Sequence, residues 1–220
     1  MNLLEFDSLY LEFDLNRVLS SIYMKCETGK ITGLLGRNGS GKSCLMKIVF
    51  GSLHSSNKSI RFNGIPLLRN YFSQKIISYL SQDQLLPPFL KIEEAFQLFK
   101  VDVRLLKQSY PDYVPLLGRR ACELSGGQLR FLEVFLILHA QHPICILDEP
   151  FSGLAPLQIE QVQEMLLIAR RGKGIIITDH MHRYVRSISD ALYVLSQGRT
   201  HLIRNEQQLI DLGYLPPQSW

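Results

Sequence analysis

The segment from Gly36 to Ser43 reads GRNGSGKS and fits the spacing G-x-x-x-x-G-K-[ST]. Its glycines leave backbone N–H groups free to wrap phosphate oxygens, and a side chain at Gly39 or Gly41 would block that approach. Lys42 is expected to reach the β- and γ-phosphates, and Ser43 to place its hydroxyl on Mg²⁺. The segment therefore predicts a nucleotide site formed by Gly36, Arg37, Asn38, Gly39, Ser40, Gly41, Lys42, Ser43 and Cys44.

Two acidic residues end the apolar run ICILDEP, which spans residues 144–150. A nucleotide site needs a carboxylate for the metal and a group that acts on the attacking water. We expect Asp148 to hold Mg²⁺ through water and Glu149 to polarise the attacking water. The alternative is an ordinary strand with an acidic end, which the nearby phosphate-binding segment makes less attractive.

Apolar runs alternate with helical patterns along the chain. Continuous apolar runs rich in Ile are typical of strands buried on both faces of a parallel sheet. Strands that alternate with helices indicate an α/β fold. Residues 86–123 contain no convincing strand and are expected to form a small, mostly helical insert. The predicted strands are 31–35, 76–80, 144–148 and 175–179, and the predicted helices are 42–53, 129–140 and 156–170.

Composition excludes several classes of protein. The 220 residues carry a formal net charge of +4, with no block of like charges, so we expect no nucleic-acid partner. The sequence contains no run of about 18 apolar residues, so we expect no transmembrane helix. The N-terminus lacks the basic region of a signal peptide. The four cysteines have no CxxC spacing, which is typical of free thiols in the cytoplasm.

The sequence LSGGQ at residues 124–128 selects one family among nucleotide-binding proteins. Ser125 and Gln128 are spaced as a capping box at a helix start, which is compatible with a second phosphate-binding surface. Together with GRNGSGKS and ILDEP in this order, LSGGQ closely resembles the ATP-binding cassette (ABC) ATPase family. The resemblance runs from about residue 3 to residue 205.

The resemblance implies a P-loop NTPase fold with a RecA-like, mainly parallel sheet, an N-terminal antiparallel β-subdomain and a helical insert. The whole chain, 1–220, is expected to be one ABC ATPase domain. Its nucleotide-binding core would comprise residues 1–85 and 124–220, and its helical subdomain residues 86–123. ATP and Mg²⁺ are the cofactors that the resemblance implies.

Three further residues match functional positions of the family. Gln82 corresponds to the glutamine that senses the metal and the membrane partner, so Ser43, Gln82 and Asp148 are the predicted metal residues. His180 corresponds to the switch histidine that contacts the γ-phosphate, although it could be a plain structural histidine. Phe13 lies where an aromatic ring usually stacks on adenine, although its alternating segment LYLEF could also place it in the core.

The family also implies partners. Two cassettes would pair head to tail, so that Ser125, Gly126, Gly127 and Gln128 of one chain contact the ATP held by the other. Separate membrane-spanning subunits would dock near Gln82 and the apolar segment Pro87, Pro88 and Phe89, unless that segment only packs the insert. The chain would then be cytoplasmic and peripheral on the inner face of the membrane.

Two departures from the family pattern leave alternatives open. The usual SGLD reads SGLA, with Ala155 in place of an aspartate that helps couple the two sites, and Cys44 replaces a hydroxyl residue. The leading hypothesis is an ATP-binding and ATP-hydrolysing subunit of an ABC transporter. The alternatives are a soluble cassette for assembly or remodelling, as in iron–sulfur cluster biogenesis, and a weakly hydrolysing regulatory cassette.

Overall fold

The structure, a computed structural model, describes residues 1–13, 16–68 and 74–214. Its strands are β1 Leu3–Phe13, β2 Asn16–Leu19, β3 Tyr23–Glu27, β4 Ile31–Leu35, β5 Asn57–Phe62, β6 Ile65–Pro66, β7 Ile77–Leu80, β8 Ile144–Asp148, β9 Gly174–Thr178, β10 Ala191–Ser196 and β11 Arg199–Ile203. Its helices are α1 Lys42–Phe50, α2 Ile92–Leu98, α3 Val103–Ser109, α4 Gly126–His139, α5 Pro156–Ala169, α6 His182–Ile188 and α7 Glu206–Asp211. Two short 3₁₀ helices cover Pro111–Leu116 and Ala121–Glu123.

The larger sheet is parallel except at one edge. Its strand order is β11-β10-β4-β9-β8-β7, and only the β10–β11 pair is antiparallel. All residues of β4, β8 and β9 are buried, as their continuous apolar runs predicted. Because these strands are parallel, their carboxyl ends meet at one edge, where ligands of such sheets bind. The predicted α/β fold is confirmed.

A second, antiparallel sheet is built from the N-terminal part of the chain. Strand β1 pairs with β2, β3 and β5, and β6 continues the sheet beyond β5. The β1–β2 hairpin places Phe13 opposite Asn16. This is the N-terminal β-subdomain that the family resemblance implied, and its hairpin borders the site described below.

Helix α4 lies in the centre of the core. Every residue from Leu129 to Leu138 is buried, as predicted from an apolar pattern that goes nearly all the way round the helix. The insert packs on α4 through aromatic rings: Tyr113 stacks on Phe131 at 4.2 Å between ring centroids. The insert 86–123 is helical, and its division from the rest of the chain as a subdomain stays a prediction.

The predicted helix and strand ends shift by a few residues. Helix α1 ends at Phe50 rather than Leu53, because Gly51 adopts a left-handed φ of 97° and caps the helix. Strand β7 begins one residue later than predicted, and α5 ends one residue earlier. Within the described parts of the chain, every helix is too short or too polar to cross a lipid bilayer.

Candidate nucleotide-binding site

The turn between β4 and α1 holds the glycine-rich segment. Gly41 caps the N-terminus of α1 with a left-handed φ of 101°, and a Cβ on it would approach Val18 Cγ1 to 2.8 Å. Gly39 also has a positive φ, but a Cβ there would meet no protein atom within 4 Å. Gly41 is therefore required by the packing of the loop on the β1–β2 hairpin, whereas Gly39 leaves its backbone open to the cleft.

Lys42 is held by the loop that it follows. Its Nζ donates hydrogen bonds to the carbonyl oxygens of Gly36 at 2.8 Å and Arg37 at 3.2 Å, and the residue is 6% exposed. Burial lowers the pKa of this ammonium, while the carboxylates of Glu149 and Asp148 raise it. A cation held in this way is poised for phosphate oxygens, which are stronger acceptors than carbonyl groups.

Ser40 carries a buried hydroxyl that has no hydrogen-bond partner. A buried polar group without a partner is rare in folded proteins and often marks a place that an ion or water satisfies. This group lies inside the glycine-rich turn, where a helix N-terminus also favours negative charge. The loop therefore fits an anionic ligand.

The three predicted catalytic side chains meet beside this loop. The side-chain amide of Gln82 donates a hydrogen bond to Glu149 Oε2 at 3.1 Å. His180 Nδ1 lies 3.8 Å from the same carboxylate oxygen, and the imidazole is half exposed. An amide and an imidazole around one carboxylate can orient a water molecule and a phosphate group above it.

Asp148 is fully buried at the end of β8. Its Oδ1 accepts a hydrogen bond from the Thr178 hydroxyl at 2.8 Å, and its Oδ2 accepts a longer one from the Tyr79 hydroxyl at 3.4 Å. Burial raises the pKa of Tyr79, so its phenol stays a donor. The position agrees with a carboxylate that acts on a metal through water rather than by direct contact.

These elements enclose one cleft of about 650 Å³. Phe13 is 49% exposed on its wall, so the core alternative for this residue is wrong. Gly36, Arg37 and Asp148 are not among the residues that line it. The cleft is lined by Phe13, Val18, Asn38, Gly39, Ser40, Gly41, Lys42, Ser43, Cys44, Gln82, Glu149 and His180.

The LSGGQ segment forms the predicted capping box but does not line the cleft of its own chain. Ser125 Oγ accepts a hydrogen bond from the Gln128 N–H at 3.3 Å, and Gln128 Oε1 accepts one from the Ser125 N–H at 3.0 Å. A Cβ on Gly127 would lie 2.9 Å from both Gly153 O and Gln158 Oε1. Gly127 is therefore packed against the segment that contains Ala155.

Asp179 is a buried acidic residue of the site that the sequence did not single out. Its two oxygens accept hydrogen bonds from the backbone N–H groups of Met181 at 2.8 Å and Phe151 at 3.1 Å. Burial raises the pKa of this carboxyl. Asp179 thus ties the segment after Glu149 to the segment after His180, and its position at a strand end was the only available signal.

The C-terminal segment contacts the back of the glycine-rich loop. Arg37 Nη2 donates a hydrogen bond to Gly213 O at 2.8 Å. Burial raises the pKa of the Tyr214 phenol, whereas a hydrogen bond from the Gly36 backbone lowers it. The sequence LIDLGYLPPQSW suggested no role, and its residues 215–220 lie outside the described part of the chain.

The glycine-rich loop, the strand-end carboxylates and the LSGGQ helix start agree with a known family. The family profile described as ABC transporter matches residues 19–152. The chain belongs to the ABC transporter family. As a member of this family it is an ATP-binding cassette with ATPase activity. Its relatives are named as ATP-binding proteins of transport and export systems, which supports the transporter hypothesis over the soluble and regulatory alternatives.

Curated relatives and solved structures match the cassette over nearly its whole length. The high-affinity branched-chain amino acid transport ATP-binding protein BraG of Pseudomonas aeruginosa is 26% identical, over 90% of each chain. The lipopolysaccharide export system ATP-binding protein LptB of Haemophilus influenzae is 26% identical, over 96% of this chain and 94% of its own. A structure titled as the ATP binding subunit of an ABC transporter has a TM-score of 0.82 at 22% identity, covering 98% and 95% of the two chains. That likeness concerns the fold.

Proposed function

We propose that this cassette energises transport by separate membrane-spanning subunits, and that two cassettes close on ATP and reopen after hydrolysis. The observation that carries the proposal is the meeting of Gln82, Glu149 and His180 at the mouth of the glycine-rich loop. These groups come from three distant parts of the sequence. Their convergence beside Lys42 supports hydrolysis of a bound nucleotide rather than binding alone.

Each lining residue has a defined task in this proposal. The Lys42 ammonium exchanges its two carbonyl partners for β- and γ-phosphate oxygens. The Glu149 carboxylate orients the attacking water and draws on its proton, which is the work of a general base. The half-exposed His180 imidazole contacts the γ-phosphate, and the exposed Phe13 ring stacks on the adenine.

The residues present fit a magnesium ion that is shared with the nucleotide. Mg²⁺ prefers oxygen ligands and is usually held by one or two carboxylates together with substrate phosphates. Ser43, Gln82 and Asp148 offer oxygen atoms beside the cleft, and no cluster of three His, Cys, Asp or Glu ligands occurs in residues 1–13, 16–68 and 74–214. When bound, the ion neutralises phosphate charge as it develops in the transition state.

Pairing of two cassettes supplies the part of the site that one chain does not provide. Ser125, Gly126, Gly127 and Gln128 lie away from the cleft of their own chain, at the N-terminus of the 14-residue helix α4. A helix N-terminus with exposed backbone N–H groups attracts phosphate. In a head-to-tail pair these groups would contact the γ-phosphate that the partner cassette holds.

The surface proposed for docking the membrane-spanning subunits begins just after Gln82. Leu86 is 2% exposed and packs inward, whereas Phe89 is 72% exposed and Pro87 and Pro88 are also exposed. We therefore propose that the segment does more than pack the insert 86–123 against the rest of the chain. We also propose that this insert acts as the helical subdomain. A stiff, exposed apolar segment is typical of an interaction surface. Docking there would hold the cassette on the inner face of the membrane.

Site-specific cross-linking in native membranes tests this proposal. A photoreactive amino acid is placed at position 89, and a matched control at Leu202, which is also exposed but lies on β11. The proposal predicts cross-links to a polytopic membrane protein from position 89 and none from position 202. Cross-links from position 89 to a soluble scaffold would instead support the remodelling alternative.

A further inference from the structure

Two charged residues lie inside the apolar helix α4. Arg130 is 7% exposed and Glu133 is 2% exposed, among neighbours that are otherwise apolar. Arg130 Nη1 lies 3.6 Å from Glu133 Oε2. Burying an ion pair costs more free energy than burying two apolar side chains of similar volume. The pair therefore requires an explanation beyond the stability of the helix.

The Arg130 guanidinium donates its hydrogen bonds to backbone carbonyl groups of the catalytic segments. Nη1 donates to Ser81 O at 2.9 Å, and Nη2 donates to Asp148 O at 2.5 Å and to Glu149 O at 2.9 Å. Ser81 immediately precedes Gln82. One planar side chain thus fixes the backbone on which both Gln82 and Glu149 are carried.

Glu133 fixes the other end of the segment that contains Gln82. Its Oε1 accepts hydrogen bonds from the backbone N–H groups of Leu85 at 2.8 Å and Leu86 at 3.0 Å. Burial raises the pKa of this carboxyl, whereas the two N–H donors and Arg130 lower it. Arg130 therefore holds the backbone just before Gln82, and Glu133 holds it a few residues after Gln82.

The backbone of Glu149 needs such support. Its φ of 53° lies in the left-handed region, which is unfavourable for a residue with a side chain and persists only when neighbours enforce it. The N–H of Glu149 donates to Thr178 O at 2.7 Å, and its carbonyl accepts from Arg130. Arg130 thus holds one of the two backbone groups that set the direction of the Glu149 side chain.

We propose that Arg130 and Glu133 are positioning residues that hold Gln82 and Glu149 in register, and thereby link the helix that begins at LSGGQ to the hydrolytic carboxylate. The inference rests on the proposed role of Glu149. It concerns the rate of hydrolysis. The hydrogen bonds of Arg130 and Glu133 go to residues 81, 85, 86, 148 and 149 rather than to the glycine-rich loop, to which nucleotide binding is left.

Replacement of the pair by apolar residues separates positioning from folding. Arg130→Met/Glu133→Leu removes both charges, so an apolar pair should keep the fold. We expect kcat to fall about 10²-fold, because small misplacements of catalytic groups have effects of that size. The dissociation constant for ATP should change less than about threefold, since ground-state binding is untouched. Arg170→Met, which breaks the Arg170–Asp190 pair away from the site, is the control.

Two outcomes would overturn the inference. One is a double variant that unfolds at the wild-type temperature and hydrolyses ATP at the wild-type rate. The other is a parallel loss of ATP affinity and kcat. If the double variant does not fold, Arg130→Lys decides: its compact ammonium keeps the charge but does not span three carbonyl groups, so a reduced kcat supports positioning and a wild-type kcat overturns it. A wild type without ATPase activity would contradict the proposed function instead.

Discussion

Gln82 donates a hydrogen bond to Glu149 across 3.1 Å, although 67 residues separate them in the sequence. Gln82 lies at the start of the segment proposed to meet the membrane partner, and Glu149 is the proposed hydrolytic carboxylate. Movement of the docking segment would therefore shift a hydrogen-bond donor to Glu149, the group that orients the attacking water. This contact gives a direct physical connection between the proposed docking segment and the proposed hydrolytic carboxylate.

Replacement of Lys42 tests the glycine-rich loop as the phosphate site. Lys42→Ala removes a cation that is buried against the loop, so ATP affinity should fall at least about 100-fold, as expected for lost hydrogen bonds to charged phosphates. Titration with a fluorescent ATP analogue measures the effect. Lys47→Ala, on the same helix α1, should bind like the wild type. Near-wild-type affinity of Lys42→Ala would remove the phosphate-site interpretation.

Ala155 leaves the N-terminus of α5 without a side-chain cap. It is the exposed N-cap residue, and only Gln158 reaches back, accepting the Ala155 N–H at 3.0 Å. Ala155→Asp or Ala155→Ser should stabilise the folded chain by about 1 kcal/mol, because either side chain can accept a hydrogen bond from the first turn. Thermal unfolding checks this, with Ala155→Leu as the control without a capping oxygen. Equal stability of all three variants would contradict the capping argument.

Stability should fall in acid because two partly buried histidines are held in their neutral form. Burial lowers the pKa of His139 and of His142, and the Lys173 ammonium lowers both further, with Lys75 adding to the effect on His142. The unfolded chain then binds protons that the folded chain does not, so stability is complete above about pH 6.5 and falls as the pH drops below it.

Thermal unfolding between about pH 5 and pH 7.5 checks this dependence. His139→Gln/His142→Gln should flatten the acid side of the Tm profile, even if its Tm is lower throughout. His54→Gln removes an exposed histidine and should leave the profile unchanged. An acid loss in the double variant as steep as in the wild type would place its origin elsewhere.

The central strands and α4 were predictable because they are buried on all sides. Burial on both faces produces continuous apolar runs such as ICILD, which local inspection of a sequence detects. The glycine-rich loop and Asp148–Glu149 were also predictable, because their residue types and spacing indicate phosphate binding and acid–base chemistry. Gln82 and His180 were located only by resemblance, since a single Gln or His carries no local signature.

The side chains that hold the backbone of the site in place could not be predicted in this way. Arg130 acts on the backbone carbonyl groups of residues 81, 148 and 149, and any residue has such a carbonyl. The contact of Tyr214 with the Gly36 backbone has the same character. Long-range contacts to backbone groups depend on the fold, and they require no particular residue type at the position that is contacted. The charged residues within an apolar helix were the only visible sign.

Glu149→Gln tests whether Glu149 orients the attacking water while two cassettes close on ATP. The amide keeps the shape of the carboxylate and removes its charge, so hydrolysis should fall about 10²–10⁴-fold, the usual worth of general-base catalysis. ATP should stay bound and hold two cassettes together. Glu160→Gln, an exposed replacement on α5, is the matched control.

The decisive measurement is the molar mass of Glu149→Gln in size-exclusion chromatography with light scattering, with and without Mg-ATP. We expect a dimer with Mg-ATP and a monomer without it, while the Glu160→Gln control hydrolyses its ATP and elutes as a monomer. Because Ala155 replaces a residue that links the two sites in the family, the dimer is sought over a range of protein concentrations. A Glu149→Gln variant that hydrolyses ATP at the wild-type rate, or binds ATP and stays monomeric at every concentration, would contradict the account.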